Sequence, residues 1–195
     1  MTSSPLTRRR LHAIGLVLIL APAIGIVVPA AALERAIAPE INPPGDIPDN
    51  QQFVTFEATQ GAALKVPEGW ARTDTKEGAI FADKYGRIEL TIRPSTSPLT
   101  IDILRAQQIA DLERSGRAVK VLRTEQVKLP AGSAIKVVYT SNSDPNPVTN
   151  KQIRLESERF YLSRNGKLAE LTFSAPAGAD NVDQWTLMSK SFRWK

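Results

Sequence analysis

The hydrophobic pattern of the chain begins with one long apolar run. Residues 11–33 contain no Asp, Glu, Lys or Arg, and as a helix they would be about 34 Å long, enough to cross a hydrocarbon layer of about 30 Å. Three arginines, at positions 8, 9 and 10, precede the run. They favour a cytoplasmic location for residues 1–10, because basic residues stay on the cytoplasmic side. The pattern therefore predicts that everything after residue 33 lies outside the cytoplasm.

Two interpretations of residues 11–33 remain open. Residues 30–32 are three alanines, which suit a signal-peptidase site, and cleavage after Ala32 would release a secreted protein. The apolar run is longer than the roughly 7–15 residues of a usual signal core, which favours a retained single-pass anchor in the cell membrane. Under either interpretation the rest of the chain is extracytoplasmic.

A proline-rich segment follows over residues 34–51. Pro39, Pro43, Pro44 and Pro48 lie among Glu, Asn, Asp and Gly, and such a sequence prefers extended polyproline geometry. The segment is therefore predicted to contribute nothing to a hydrophobic core, either as a semi-rigid linker or as a disordered remnant left after signal cleavage.

From residue 52 onwards the pattern is typical of β-strands. Residues 87–93 alternate between apolar and polar side chains, which predicts a strand with one face on the core and the other in water or against a polar layer. The Asn165-Gly166 pair predicts a type I′ hairpin turn. The predicted strands are residues 52–58, 63–66, 79–83, 87–93, 118–129, 133–142, 151–163 and 167–174.

Two helices accompany the predicted strands. The first covers residues 100–115, with Thr100 as its N-cap and an apolar face of Ile101, Leu104, Ile109 and Leu112. The second covers residues 179–192, with Val182, Trp185 and Met188 facing inward. The order of elements predicts an α+β domain over residues 52–195, an antiparallel sheet flanked by helices.

Several segments occur in an order that is typical of one fold family. They are LKVPEGW at 64–70, the helix from Thr100, IKVVY at 135–139, FYLSRNGK at 160–167, LTFSAP at 171–176, and Trp185 with Ser191-Phe192. This order resembles the PsbP-like fold, an α/β/α sandwich found in plant photosystem II extrinsic proteins and in many bacterial cell-envelope proteins, often lipoproteins. The resemblance implies a binding or assembly accessory without catalysis. The chain departs from the lipoprotein members because it has no cysteine to acylate.

The composition of the chain limits the kinds of binding and catalytic sites that it can form. The arginines at 8–10 supply three units of the net charge of +5, so the remaining chain carries only +2 and lacks the basic stripe of a nucleic-acid-binding protein. The single histidine is His12, within the apolar run, and there is no cysteine. Ser–His–Asp and Cys–His catalysis and the usual zinc sites are therefore excluded from the domain. We expect no catalytic residue, no cofactor and no metal.

One loop is the first candidate for a contact surface. It carries oxygen-bearing side chains at alternate positions, Asn142, Asp144 and Asn146, as a calcium loop would. Its twelfth position is Ile153, where a calcium loop requires Glu, so a solvated loop is predicted instead. Trp194 is the second candidate, because the pattern predicts no obvious burial for it.

A pair of acidic residues is a further candidate for chemistry. Glu156 and Glu158 lie two apart on one predicted strand and share a face, a spacing that could suit a carboxylate pair. Arg154 and Arg159 lie beside them, which favours an exposed strand with salt bridges.

The sequence thus predicts a membrane-tethered, extracytoplasmic, non-catalytic accessory module, with a membrane or envelope protein as its partner. The alternative is a carrier of a lipid or another apolar ligand held between sheet and helix, secreted or anchored. Nucleic acid is excluded as a partner.

Overall fold

The computed structural model describes residues 34–195. The predictions for residues 1–10 and 11–33, the cytoplasmic segment and the anchor or signal peptide, lie outside the described residues. Within residues 34–195, no helix is both long enough and apolar enough to cross a membrane.

The described chain is mostly β-strand, with helices before β6 and near the C-terminus. In chain order the elements are β1 (Phe53–Ala58), β2 (Ala62–Pro67), β3 (Ala71–Thr75), β4 (Gly78–Asp83), β5 (Gly86–Pro94), α1 (Ile101–Leu104), a π-helical turn (Arg105–Ile109), α2 (Ala110–Ser115), β6 (Lys120–Leu129), β7 (Gly132–Asn142), β8 (Arg154–Arg164), β9 (Lys167–Pro176), α3 (Val182–Ser191) and β10 (Arg193–Trp194).

Seven strands form one antiparallel sheet in the order β3-β4-β5-β9-β8-β7-β6. The β8–β9 hairpin turns at Asn165 and Gly166, whose φ angles of 49° and 71° are the positive values that a type I′ turn needs. The other three strands form a smaller antiparallel sheet, β1-β2-β10. The predicted antiparallel architecture is confirmed, and its division into two sheets is an additional finding.

One face of the large sheet packs against the small sheet and α3. Phe173 of β9 stacks on Trp185 of α3 with ring centroids 6.0 Å apart, and Met188 is fully buried beside them. The alternation of β5 places Ile88, Leu90 and Ile92 in the same cluster. Trp185 and Met188 therefore face inward, as their spacing predicts.

The opposite face of the large sheet is partly covered by the segment from α1 to α2. Thr100 caps α1 as predicted, because its Oγ1 accepts a hydrogen bond from the Ile103 N–H at 3.2 Å. Leu104 and Ile109 are five residues apart and would point about 140° apart on a regular α-helix. The intervening π-helical turn accommodates one extra residue, so both side chains are buried against β7, β8 and β9.

The sequence predicts that Val182 faces inward. This prediction is wrong, because the residue is 70% exposed. The buried residues of α3 are Gln184, Trp185, Met188 and Ser189. At 100° per residue the centre of that face lies about 90° from Val182. A hydrophobic residue at the first position of the helix therefore faces solvent.

Strand β3 is absent from the sequence-based prediction. Every residue of its sequence ARTDT is exposed, and it forms one edge of the large sheet. Its one strand partner is β4, and its side chains show no alternation of buried and exposed positions. An edge strand of this kind carries almost no hydrophobic signal.

The proline-rich segment 34–51 lies on the domain and contributes to its core. Ile47 is only 5% exposed and belongs to the main hydrophobic cluster, and its N–H donates to Asn181 Oδ1 at 2.7 Å. Gln184 of α3 donates to Asp49 Oδ1 at 3.2 Å. The expectation that this segment adds nothing to the core is wrong, because prolines prevent strand pairing but leave isolated apolar side chains free to pack.

Candidate functional site

Asn142, the first residue of the predicted contact loop, is buried at the end of β7. Its Oδ1 accepts hydrogen bonds from the Ile37 N–H at 3.2 Å and from Arg154 Nη1 at 3.0 Å. Its Nδ2 donates to Glu34 Oε1 and to the Arg35 carbonyl, both at 2.9 Å. The side chain therefore ties the N-terminal segment to the sheet.

Asp144 and Asn146 lie on the surface of that loop. The Asp144 side chain is 92% exposed and accepts a hydrogen bond from Arg117 Nε at 3.0 Å. Asn146 Oδ1 accepts from the backbone N–H groups of Val148 at 2.9 Å and Thr149 at 3.0 Å, which fixes the turn of the loop. Of the three loop residues, Asn142 is buried and Asp144 and Asn146 are exposed.

Trp194 does not lie beside this loop. It pairs with Ala62 in the small sheet and meets Phe192 edge-to-face, with ring centroids 5.3 Å apart. Trp194 is near the β8–β9 turn, because Lys167 donates to the carbonyl of Gln60 in the adjoining β1–β2 turn. The contact loop precedes the start of β8, an 11-residue strand that spans about 33 Å. The two candidates therefore belong to different ends of the sheet.

Glu34 binds three side chains at the loop end of the sheet. Besides Asn142 Nδ2, its carboxylate accepts from Gln152 Nε2 at 2.6 Å and Arg117 Nη1 at 3.0 Å. The hydrogen bonds from Asn142 and then Gln152, together with Arg117, lower the pKa of Glu34. An open groove of about 620 Å³ lies here, between the end of α2 and the contact loop.

The ion pairs of β8 differ from the prediction. Glu158 pairs with Lys136 of β7, and Arg159 pairs with Glu170 of β9. Arg154 is buried and donates to oxygen atoms of three neighbouring residues. Because β8 lies inside the sheet, its charged side chains meet partners on adjacent strands. The expected exposed strand with salt bridges along its length is not present.

A polar cluster that the sequence analysis missed lies on the helix-covered face of the large sheet. At its centre Glu170 accepts a hydrogen bond from Arg93 Nη2 and lies 3.6 Å from Arg159 Nη1. Arg159 Nε also donates to Thr172 Oγ1 at 2.9 Å. Two guanidinium groups thus surround one largely buried carboxylate.

Two tyrosines border this cluster. Arg159 donates to Tyr139 Oη at 3.4 Å, with its guanidinium carbon 5.6 Å from the centre of that ring. Tyr161 is fully buried, and its hydroxyl has no hydrogen-bond partner within residues 34–195. Burial raises the pKa of Tyr161 against the opposing effect of the Arg159 charge. Burial alone would lower the pKa of Arg159, but the two phenols and Glu170 outweigh it and raise the pKa.

A cavity of about 300 Å³ opens beside Arg93, between the β5–α1 loop and the helical segment. Its polar wall consists of Arg93, Ser95, Thr96, Ser97, Gln107 and Gln108, and its apolar part includes Leu104 and Leu168. Arg93 Nη2 donates to Gln108 Oε1 at 2.7 Å. Both glutamines belong to the π-helical turn, a feature often found at functional sites.

The cavity wall supplies hydrogen-bond donors and one positive charge. No cluster of three His, Cys, Asp or Glu residues suited to a metal ion occurs within residues 34–195. The wall therefore suits a small polar ligand. One sequence signal points to this region, the alternation of residues 87–93, which predicts a polar layer. Nothing in the sequence pairs Arg93 with Glu170, 77 residues away.

No family model matches the chain, and no curated protein matches it significantly. Among solved structures, the chain is similar to the solution structure of cyanobacterial PsbP (CyanoP) from Synechocystis sp. PCC 6803. The TM-score is 0.53 at 15% identity, and the match covers 73% of this chain and 92% of that chain. The fold is PsbP-like. The resemblance inferred from the sequence is confirmed for the fold. At 15% identity the similarity shows the fold alone.

Two further solved structures match the PsbP-like domain less well. A protein of unknown function from Pseudomonas aeruginosa has a TM-score of 0.43 at 10% identity, covering 69% of this chain and 91% of that chain. A protein from Bacteroides thetaiotaomicron VPI-5482 has a TM-score of 0.45 at 11% identity, covering 69% of this chain and 45% of that chain.

Proposed function

We propose that this protein is a non-catalytic binding module, tethered to the membrane through residues 11–33, with its PsbP-like domain on the extracytoplasmic side. The observation that carries the proposal is the donor-lined cavity beside Arg93. It lies in a domain that has neither histidine nor cysteine for acid–base or nucleophilic catalysis. Such a wall can recognise a ligand by hydrogen bonds and charge, and it contains no imidazole or thiol.

The attachment of Glu34 supports the tethering part of the proposal. Residue 34 follows the apolar run directly, and its carboxylate binds Asn142, Gln152 and Arg117. The first residue of the described chain is therefore fixed to the sheet, and residues 11–33 precede it directly in the sequence. We infer that the protein acts at the membrane on a membrane or envelope protein, with the exposed Asp144 loop as the contact surface.

Carriage of a lipid or another apolar ligand is the alternative that the sequence leaves open. Such a ligand would lie between helix and sheet, where Leu104, Ile109 and Val137 already pack together. The cavity that does exist is small and has a polar wall. These contacts favour a binding module for a polar ligand over a lipid carrier.

Site-directed labelling tests the tethered topology, because the chain has no native cysteine. Single-cysteine variants would be expressed as the full chain and treated with a membrane-impermeant maleimide in right-side-out membrane vesicles. Val148 is 89% exposed, so we expect the Val148→Cys variant to react in intact vesicles. The Ser3→Cys variant should react only after permeabilisation.

The matched control is Val137→Cys, which places the thiol at a fully buried position and should react only after denaturation. Reaction of Val148→Cys only after permeabilisation would contradict an extracytoplasmic domain. A shortened chain that has lost the cysteine of Ser3→Cys would show cleavage and contradict the tether.

A further inference from the structure

We propose that the cavity beside Arg93 binds a small oxyanion, the carboxylate or phosphate group of a small molecule. This inference deepens the proposed binding function, and rests on it, by naming the chemical class of the ligand.

The charge balance of the polar cluster is positive. Arg93 and Arg159 share the single carboxylate of Glu170, which leaves one positive charge uncompensated. The neighbouring Arg87 and Glu89 on the same face pair with each other at 3.1 Å and add no net charge. A positive charge without a partner in a partly buried site destabilises the folded protein. A bound anion would neutralise this charge and lower that free-energy cost.

Arg93 is the charged residue of the cavity wall, and part of its guanidinium is unused. Its Nη2 donates to both Glu170 and Gln108, whereas Nη1 and Nε have no partner within residues 34–195. The side chain is 34% exposed. Glu170 and Gln108 thus hold the guanidinium in place, while the N–H groups of Nη1 and Nε can each donate a single charge-assisted hydrogen bond to a ligand.

The rest of the wall adds donors of the same kind. Gln108 Oε1 accepts from Arg93, which orients its Nε2 as a donor. Ser95, Thr96 and Ser97 line the cavity, and none of their hydroxyls has a hydrogen-bond partner in the described part of the chain. A volume of about 300 Å³ is at the lower end of the usual range for small-molecule pockets. It fits a small acid and is too small for a lipid.

Isothermal titration calorimetry of the full chain in detergent micelles tests this inference, with inorganic phosphate and succinate as anionic probes and succinamide as a neutral probe. We expect at least one anion to bind at a single site and succinamide not to bind. Arg93→Gln should weaken anion binding at least about tenfold, because a charge-assisted hydrogen bond is lost.

Arg87→Gln is the matched control. It removes the same charge from the same strand and face, breaks a comparable pair with a glutamate, and leaves the cavity wall intact. Its affinity should stay within about twofold of the unchanged protein. A second variant, Gln107→Ala, alters an exposed wall residue without a buried partner, and should weaken binding while leaving thermal unfolding unchanged.

Three results would overturn the anion site: no heat from either anion, binding of succinamide as strong as that of succinate, or equal weakening by Arg87→Gln and Arg93→Gln. None of them affects the labelling of Val148→Cys and Ser3→Cys. The anion site can therefore fail while the tethered module stands, and a failed topology would be seen separately in the labelling.

Discussion

Glu34 joins the N-terminal segment to the sheet through a carboxylate whose pKa is lowered, first by Asn142, then by Gln152 and Arg117. A group with a lowered folded pKa stabilises the folded state above its unfolded pKa of about 4.5. That stabilisation is lost as the pH falls through the folded value. We therefore predict that the segment begins to detach in acid, below about pH 4.5.

NMR titration of the Ile37 amide, which donates to Asn142, would follow this detachment locally. A local signal is needed because Lys195 also lowers the pKa of Glu57, so global stability has a second acid-sensitive group. In Glu34→Gln the acid-dependent shift of Ile37 should disappear. An unchanged titration in that variant would show that another group controls the attachment.

Asn142 and Asn146 have the same side chain, but Asn142 is buried and Asn146 is exposed. Asn142→Ala would remove partners from the buried Arg154 and from Glu34, and we predict a loss of roughly 1–3 kcal/mol in the free energy of unfolding. Asn146→Ala, in the exposed part of the loop, should cost less than about 1 kcal/mol. Urea unfolding of both variants measures the difference, and equal losses would contradict the structural role of Asn142.

At the scale of elements, the sequence predicts those strands and turns that have a local pattern of their own. The alternation of residues 87–93 gives both the strand and its polar face, and Asn165-Gly166 gives the hairpin turn. Strand β3 and the exposed position of Val182 could not be predicted, because both depend on which neighbour covers a residue. The pairing of Arg93 with Glu170 depends on sheet order and register, which no local pattern contains.

The segment 34–51 offers a test of whether an irregular element belongs to the domain. Ile47 is 5% exposed within the main cluster, whereas Ile41 is 93% exposed in the same segment. We predict that Ile47→Ala lowers the free energy of unfolding by roughly 2–5 kcal/mol.

Ile41→Ala is the matched control, and its unfolding should change by no more than about 0.5 kcal/mol. Chemical denaturation of the two variants gives both values directly. Equal, small effects would mean that the segment is a linker, as its prolines suggest.

The whole molecule combines a PsbP-like domain with an N-terminal apolar sequence that predicts either an anchor or a signal peptide. The domain begins at the segment containing Glu34 and Ile47, earlier than the strand pattern at residue 52 indicates. Its two proposed binding features are separate: the cavity beside Arg93 for a small anion, and the loop around Asp144 for a protein.

Purification of the full chain from native membranes in mild detergent, with intact-mass analysis of everything recovered, tests the central claim most directly. The tethered accessory module predicts an uncleaved chain of 21.3 kDa together with a stoichiometric protein partner. A chain that begins near residue 33 and is recovered alone would contradict it.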